Sequence, residues 1–405
     1  MRISSSTIFN SAVYGMEQQQ SAISQTQQEI SSGVKTPTQD PVAAAQALMV
    51  NQASSINTQY VANQNAANSR LSLNETTLQG VTTLIQNIQS QVISAGNASL
   101  TNSDRSSIAT QLNSEYQQLI NLANSTDGTG VYLFSGGMGS TQPFQSTSSG
   151  VQYSGDQGKQ YVQIGPSQQV QVSLSGADLF QNIPTGNGSF VTQAASGNGG
   201  NATIDAGLVT NPSSWNASGK NFTIQFSVSG GNTTYNVIDN STGTTVASAQ
   251  PYTSGNAITL GTSGASVSIS GTPLNGDSFT VKPSTDQSVF TTISNMITAL
   301  QAPVNDAAGN ASITNSLDAA NQNLSNALNS ILTARSANGA RINQATAAQS
   351  TSNNLNVQYQ TNITQLQGVD LTQAISQLSQ ETLALQAAQK TFVQVSNLSL
   401  FSYLP

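Results

Sequence analysis

The stretch FNSAVYGMEQQQSAISQTQQEISSG, residues 9–33, decides the fold because its apolar residues recur at helical spacing. Phe9, Met16, Ile23 and Ile30 stand seven residues apart, and Val13 lies on the same side. A seven-residue apolar repeat is typical of a helix that packs against another helix. Gly33 is well suited to end such a helix. The sequence therefore predicts a long N-terminal helix that requires a partner helix.

The same repeat recurs in two longer blocks. Asp40-Pro41 can open a helix, because Asp accepts hydrogen bonds from free N–H groups and Pro fits the first turn. The spacing returns after residue 287. Both stripes are expected to pair inside the chain as a helical core. Their clearest members are Leu71, Leu78, Ile85 and Val92, with Ala67, Asn74, Val81 and Ile88 beside them, and then Leu317, Leu324 and Ile331.

A last helix is predicted after Gly368, where Asp370 can cap its first turn. Antiparallel helices bury each other's stripes, so the two ends of the chain are expected to pack together. Terminal helices without charge pairs are marginal alone, and the outer stripes are therefore predicted to make contacts between subunits. The candidate assembly residues are Phe9, Val13, Met16, Ile23, Ile30, Leu371, Ile375, Leu378, Leu385, Phe392, Val395 and Leu398.

Between these helical blocks the apolar period changes from helical to alternating, which is typical of β-strands. Residues 222–228 place their apolar side chains on one strand face, and Ser229-Gly230-Gly231-Asn232 supplies a turn. Further strands are predicted at 170–174, 267–269 and 279–281. Glycine-rich stretches at 186–188 and 197–200 indicate flexible junctions and favour a separate second β subdomain.

The predicted fold class is α+β, with a coiled-coil-like bundle of N- and C-terminal helices and an inserted β region. Six segments follow from the patterns: 1–40 N-terminal assembly helix, 41–129 helical core, 130–185 β domain, 186–286 second β subdomain, 287–369 helical core, and 370–405 C-terminal assembly helix.

The composition removes most catalytic chemistry. Only 7% of the 405 residues are charged, the net charge is −7, and there is no Cys or His. Imidazole bases, thiolate nucleophiles, disulfides and the usual zinc ligands are therefore absent. The acidic balance disfavours nucleic acids and anionic membranes as partners. We expect a non-enzymatic protein with no catalytic residues, no metal and no cofactor.

Two other motifs favour ordinary structural explanations. Gly136-Gly137-Met138-Gly139-Ser140 could cradle a phosphate, but no Lys follows it and a turn is the better interpretation. Asp277 and Asp286 lack the regular oxygen spacing of a calcium loop, and they are predicted to be solvated turn residues.

Several spaced motifs resemble the bacterial flagellin superfamily, and more closely its hook–filament junction branch, the flagellar hook-associated protein 3 family. Glu29-Ile30-Ser31-Ser32-Gly33 followed by Asp40-Pro41-Val42 is similar to that family's helix-loop-helix, although Gln39 stands where an acidic residue is common. Further similar segments are Val131-Tyr132-Leu133-Phe134-Ser135-Gly136, Tyr153-Ser154-Gly155-Asp156, Gly276-Asp277-Ser278-Phe279-Thr280-Val281, Gly339-Ala340-Arg341-Ile342-Asn343 and the ending Ser399-Leu400-Phe401-Ser402-Tyr403-Leu404.

The resemblance implies a structural adaptor outside the cell, at the junction of flagellar hook and filament. It implies a ring of copies of the chain, with hook-associated protein 1 on the hook side and flagellin on the filament side. It also implies an export chaperone and secretion by the flagellar type III pathway, which fits an N-terminus without a cleavable signal peptide. Three alternatives remain open: flagellin itself, a secreted adhesin whose insert 186–286 binds a ligand, and an enzyme within a flagellin-like frame.

Overall fold

The structure is a computed structural model that describes residues 5–37, 40–148 and 150–401, with side chains over residues 7, 9–37, 40–148 and 150–394. Long helices at both ends enclose a β region in the sequence, which confirms the predicted α+β class. The helices are α1 Ser5–Ser32, α2 Pro41–Ala95, α3 Asn102–Ala123, α4 Pro212–Ala217, α5 Val289–Gln301, α6 Ala307–Gln367 and α7 Leu371–Phe401.

The strands lie between α3 and α5. They are β1 Phe144–Thr147, β2 Gly150–Tyr153, β3 Tyr161–Gly165, β4 Gln168–Gln171, β5 Ile183–Pro184, β6 Phe190–Ala194, β7 Thr203–Ile204, β8 Leu208–Val209, β9 Phe222–Ser229, β10 Asn232–Asp239, β11 Thr244–Pro251, β12 Ala257–Thr259, β13 Ala265–Ser270, β14 Ser278–Pro283 and β15 Asp286–Gln287. β4 stops at Gln171, short of the predicted Leu174, because the Gln160 N–H donates to the Ser173 hydroxyl at 2.8 Å and the Val172 carbonyl accepts from the Asn74 side chain.

Contacts divide the chain into two compact units, residues 1–63 with 347–405 and residues 64–346. The helix boundaries have local causes. Gly33 follows α1 with a left-handed φ of +69°, which glycine adopts without a side-chain clash. The Asp40 carboxylate accepts the Ala43 N–H at 2.9 Å at the start of α2. Asp370 accepts the N–H groups of Thr372 and Gln373 at the start of α7, as its position in the sequence predicted.

The core of the second unit confirms the middle stripes. All eight predicted members on α2 are buried, and so are Leu317, Leu324 and Ile331 on α6. Amide side chains accompany these apolar residues. The Asn338 side chain donates to the Leu71 carbonyl at 2.9 Å, and the Asn74 side chain donates to the Val172 carbonyl at 3.2 Å. Buried polar groups need partners, so these bonds restrict which helix register is acceptable.

An aromatic cluster joins the first β segment to the helical core. The Phe144 ring lies 5.2 Å from that of Phe290 on α5 and 5.4 Å from that of Phe180, and Phe134 lies 5.7 Å from Phe180. All four rings are buried in the same core as the helical stripes. Residues 130–185 therefore share the core of the helices, and only the second β segment has a core of its own.

That second segment forms two sheets around a separate core. The larger sheet has the order β11-β10-β9-β14-β6 and the smaller has the order β12-β13-β7, with β8 also paired to β13. The predicted hairpin around Gly230-Gly231 is present, and its register pairs Asn232 with Ser229. The core includes Phe190, Trp215, Ile224 and Phe279. We call residues 190–283 the insert.

Asparagines on α6 bond to the backbone of the insert at Ile204 and to the backbone of residues 184–186, which lead into it. Asn315 accepts the Ile204 N–H at 2.9 Å, Asn323 accepts the Gly186 N–H at 2.9 Å, and Asn326 donates to the carbonyls of Pro184 and Gly186. Amides that contact only main-chain groups fix position without requiring particular insert side chains.

The solvated-turn interpretation of Asp277 is wrong. The residue is only 3% exposed, and its carboxylate accepts the N–H groups of Gly199, Gly200 and Leu274 at 2.8–3.0 Å. Backbone amides converging on one carboxylate make its burial tolerable. Asp286, in contrast, is exposed, as predicted. The glycine cluster is a turn, and Asp156 accepts the Gly137 N–H there, so an internal carboxylate occupies the place considered for a phosphate.

We predict that Leu324→Ala destabilises the chain by about 2–5 kcal/mol, since the side chain is fully buried and its removal leaves a cavity. Leu332→Ala is the matched control on the same helix. Leu332 is 42% exposed, and its loss should change the unfolding free energy by about 0.5 kcal/mol or less. Urea unfolding of both variants measures this difference. Equal effects would mean that the α6 stripe is not the core.

We also predict that the insert can be removed without unfolding the rest. The Ser284 N–H donates to the Ser189 carbonyl at 3.0 Å, so the two ends of the insert are adjacent and a short glycine linker can join them. No residue of the helical core lies within the insert. Thermal melting followed by far-UV circular dichroism should retain a cooperative transition for the shortened chain. Loss of that transition would contradict an independent insert core.

Candidate assembly interface

The two outer helices pack against each other within one chain. The Phe9 and Phe392 rings lie 5.0 Å apart, and Ala374 on α7 is buried. The contact face is the predicted heptad stripe on both helices. Its half-buried members are Val13, Met16, Ile23 and Ile30 on α1 and Leu378, Leu385 and Phe392 on α7. The predicted pairing of the chain ends is therefore present, with side chains only partly covered.

One polar contact lies within this apolar face. The hydroxyl of Thr26, which is buried, donates to the Glu381 carboxylate at 2.9 Å. Gln377 donates to the other oxygen of the same carboxylate at 2.9 Å. A hydrogen bond to a charged acceptor is stronger than one between neutral groups and has a narrower geometry. This contact fixes how far α1 can slide along α7.

The loops that join the outer helices to α2 and α6 are bonded to each other. The Lys35 N–H donates to the Gln367 carbonyl at 2.8 Å, and the Val369 N–H donates to the Gly33 carbonyl at 3.1 Å. Glu29, which is buried, accepts both the N–H and the hydroxyl of Thr36. The Glu29-to-Gly33 segment singled out in the sequence thus positions the loop that starts α2.

The outer helices also carry large apolar side chains that are well exposed within the described residues. Leu383 is 68% exposed although it lies on the same helix as half-buried Leu385. Consecutive helix positions turn by 100°, so residues two apart point in different directions. Large exposed apolar side chains on the outer helices are Phe9, Tyr14, Leu371, Ile375, Leu383 and Val393.

A second exposed set lies on the parts of α2 and α6 that belong to the first unit. Met49 is 71% exposed and lines a shallow pocket with Gln46, Val50 and Leu366. Contiguous exposed apolar surface marks contact sites in soluble proteins. The exposed members are Val42, Leu48, Met49, Ile56, Leu355 and Val357.

The twelve predicted assembly residues have different environments. Phe9, Leu371 and Ile375 are about half exposed or more, although the Phe9 ring also contacts Phe392, and seven others are half-buried in the α1–α7 contact. Val395 and Leu398 lie outside the residues whose side chains are described. Sequence reasoning missed Leu383 and the exposed set on α2 and α6. Their signal was apolar residues outside the heptad columns, which indicate a helix with more than one buried face.

The described residues contain no group of side chains arranged to hold a metal ion. Within residues 5–37, 40–148 and 150–401, no three His, Cys, Asp or Glu side chains are grouped as metal ligands. No helix in that part of the chain has the length and apolarity to cross a membrane. The distinctive surface is the set of uncovered apolar faces on long helices, which suits protein assembly.

Comparisons with known proteins agree with a protein that assembles through long helices. Residues 3–138 match the family described as the bacterial flagellin N-terminal helical region. The flagellar hook-associated protein 3 of Salmonella typhimurium is 36% identical over 185 residues, which span 45% of this chain and 58% of that protein. The hook-associated protein 3 of Escherichia coli is 27% identical over 404 residues, 99% of each chain.

A solved structure extends the match to the fold. The crystal structure of Xanthomonas campestris FlgL has 31% sequence identity and a TM-score of 0.72, covering 78% of this chain and 99% of that one. The chain belongs to the flagellar hook-associated protein 3 family. The hook-associated resemblance seen in the sequence is thereby confirmed, and the flagellin alternative has no better support.

We predict that Leu385→Asp and Leu383→Asp have different effects, because the two residues lie on different faces of α7. Leu385→Asp places a carboxylate in the α1–α7 contact and should weaken that pairing by roughly 1–3 kcal/mol. Limited proteolysis of the monomer should then cut residues 1–63 and 347–405 earlier while residues 64–346 resist.

Leu383→Asp adds a charge to an exposed position and should leave the monomer unchanged. It should nevertheless block assembly, because the carboxylate would be buried there without a partner. Normal assembly by the Leu383→Asp variant would exclude this face as a contact between subunits.

Proposed function

We propose that this chain is the structural adaptor that joins the flagellar hook to the flagellin filament. The observation that carries the proposal is membership of the hook-associated protein 3 family over nearly the full length of the Xanthomonas campestris relative. The long helices with uncovered apolar faces support it, because such faces require a neighbouring subunit.

Assembly would draw its free energy from the exposed apolar side chains. Burying one large apolar side chain contributes roughly 1.5–3 kcal/mol relative to leaving it exposed. Leu383, Met49 and Val357 are each exposed by about two thirds or more in the single chain. Repetition of the contact in every subunit adds up these contributions, and the α1–α7 pairing holds the helices in position beforehand.

The low charge suits this role. Only 7% of the residues are charged, so few ions need to lose water when subunits meet. Most of the carboxylates already serve helix caps and turns, as Asp40, Asp277 and Asp370 do. This use of the carboxylates supports a structural role.

The specific partners belong to the proposal. The chain would form a ring with copies of itself, contact hook-associated protein 1 on the hook side and contact flagellin on the filament side. It would be exported by the flagellar type III pathway without a cleavable signal peptide, bound beforehand by an export chaperone. The finished subunit would lie outside the cell, in the flagellum.

Cells lacking the gene provide the test. They should bear hooks without filaments and release flagellin into the medium, and the wild-type gene should restore filaments. Antibody labelling in the electron microscope should give a narrow band at the hook tip. Label along the whole filament would identify a filament subunit instead, and filaments on cells without the gene would contradict the adaptor role.

A further inference from the structure

Each outer helix carries a second heptad-spaced face besides the one in the α1–α7 contact. The spacing within each face alternates between three and four residues, as in a helix-packing seam. Helix positions advance by about 100° per residue, which turns both faces away from the α1–α7 contact, and all their members are exposed. The outer face of α1 comprises Asn10, Tyr14, Glu17, Ser21, Ser24 and Gln28. The outer face of α7 comprises Ser376, Ser379, Leu383, Gln386 and Lys390.

Two charged residues of the outer helices have no polar partner within the described residues. α1 and α7 contain four charged residues, Glu17, Glu29, Glu381 and Lys390. Glu29 and Glu381 accept hydrogen bonds from neighbouring side chains. Glu17 and Lys390 form no hydrogen bond or ion pair in the described part of the chain, and each lies on an outer face. The two outer faces therefore carry opposite charges, one acid on α1 and one base on α7.

These two charges lie at the same height along the helix pair. α1 and α7 run antiparallel, since an aromatic contact joins the start of α1 to the end of α7 while the Thr26 hydroxyl bonds to Glu381 further along. Glu17 lies nine residues before Thr26, and Lys390 lies nine residues after Glu381. Equal steps in opposite directions along antiparallel helices end at the same height. Glu17 and Lys390 are thus level but on opposite sides of the pair, so they do not meet within one chain.

Copies placed side by side without an axial shift would bring the two charges together. The outer face of α1 in one copy would then pack against the outer face of α7 in the next. The same register sets Ser21 opposite Gln386 and Ser24 opposite Leu383. Because the two faces differ, the contact joins copies head to tail, which is the arrangement that closes into rings or continues as a helical array.

We propose that the outer face of α1 binds the outer face of α7 of a second copy of this chain, with Glu17 and Lys390 as the pair that sets the register. A second copy fits because every copy carries both complementary halves on opposite sides. The contact would also cover Tyr14 and Leu383, which are 63% and 68% exposed in the single chain. Opposite charges favour this register, since a shifted one would leave each charge covered without a partner. The proposal rests on the adaptor function proposed above and adds which faces meet and at what height.

Charge exchange tests the register in cells that lack the gene and carry variants of it. Glu17→Lys and Lys390→Glu should each remove most attached filaments, because each sets two like charges against each other between copies. The double variant restores the pair with reversed signs and should recover most of the filaments, counted in the electron microscope. Single variants that assemble like wild type, or a double variant no better than its worse parent, would overturn the proposal.

A second double variant separates this contact from net charge. Lys282 is exposed on β14 in the insert and has no ion pair among the described residues. Glu17→Lys with Lys282→Glu has the same net charge as Glu17→Lys with Lys390→Glu, but it restores no charge opposite position 17. It should stay as defective as Glu17→Lys alone, and Lys282→Glu alone should behave as wild type. Equal recovery by both double variants would mean that net charge, and not this contact, controls assembly.

Folding and function are measured separately. All the substituted positions are exposed, so each purified variant should melt at the temperature of the wild type. If a charge reversal lowers that temperature, Glu17→Gln and Lys390→Gln take its place, and each should still lose filaments. If the wild-type gene does not restore filaments, the adaptor function fails. If it restores them and the exchange has no effect, only this contact fails.

Cross-linking gives a second decision that does not depend on charge. The chain has no cysteine, so Ser21→Cys and Gln386→Cys introduce unique sites, one on each outer face. A short bismaleimide applied to purified flagella should produce a ladder of linked chains from the double variant, detected by immunoblot. Each single variant should give none, because the contact never sets a face against its own copy. Absence of the ladder in flagella with normal filaments would contradict the contact.

Discussion

The structure depends on the packing of the apolar α2 stripe against the rest of the helical core. The chain has few charged residues that could align these helices. Heptad side chains alone permit the helices to slip by one repeat, because every repeat offers a similar surface. Ion pairs usually choose among such registers, but within the described residues this chain has the single pair Arg335–Glu75. Buried amide side chains also favour the observed register over slipped ones. Gln64, Asn74 and Asn338 each donate to a particular main-chain carbonyl, and a slipped register would leave these groups buried without partners.

Most of the helical architecture could be predicted because its determinants are local. Heptad spacing identified the stripes of α2 and α6, while Gly33, Asp40 and Asp370 marked helix ends through their own backbone chemistry. The packing of the β region was harder to predict from the sequence. The joining of residues 130–185 to the helical core depends on Phe144, Phe180 and Phe290, which are far apart in sequence and carry no periodic signal. Asp277 was misjudged for a related reason, since the amides that bury it come from a distant glycine pair.

The assembly surface was predictable in part. Heptad spacing predicts that a side chain is buried, but it does not predict whether the residues that bury it belong to the same chain or to another. Leu378 and Leu385, predicted to make contacts between subunits, are half-buried in the α1–α7 contact of the single chain, and their role between subunits stays a prediction. Leu383, outside the stripe, is 68% exposed in the single chain.

The neighbouring ends of the insert have a consequence for how the family can diversify. The chain enters and leaves this region at Ser189 and Ser284, whose main chains are hydrogen-bonded to each other. Asn315 on α6 bonds to main-chain groups of this region, the Ile204 N–H and the Ala202 carbonyl. Surface residues of the insert can therefore change with few constraints from the helices. The same pair of serines is a natural grafting point for displaying a foreign protein on a flagellum.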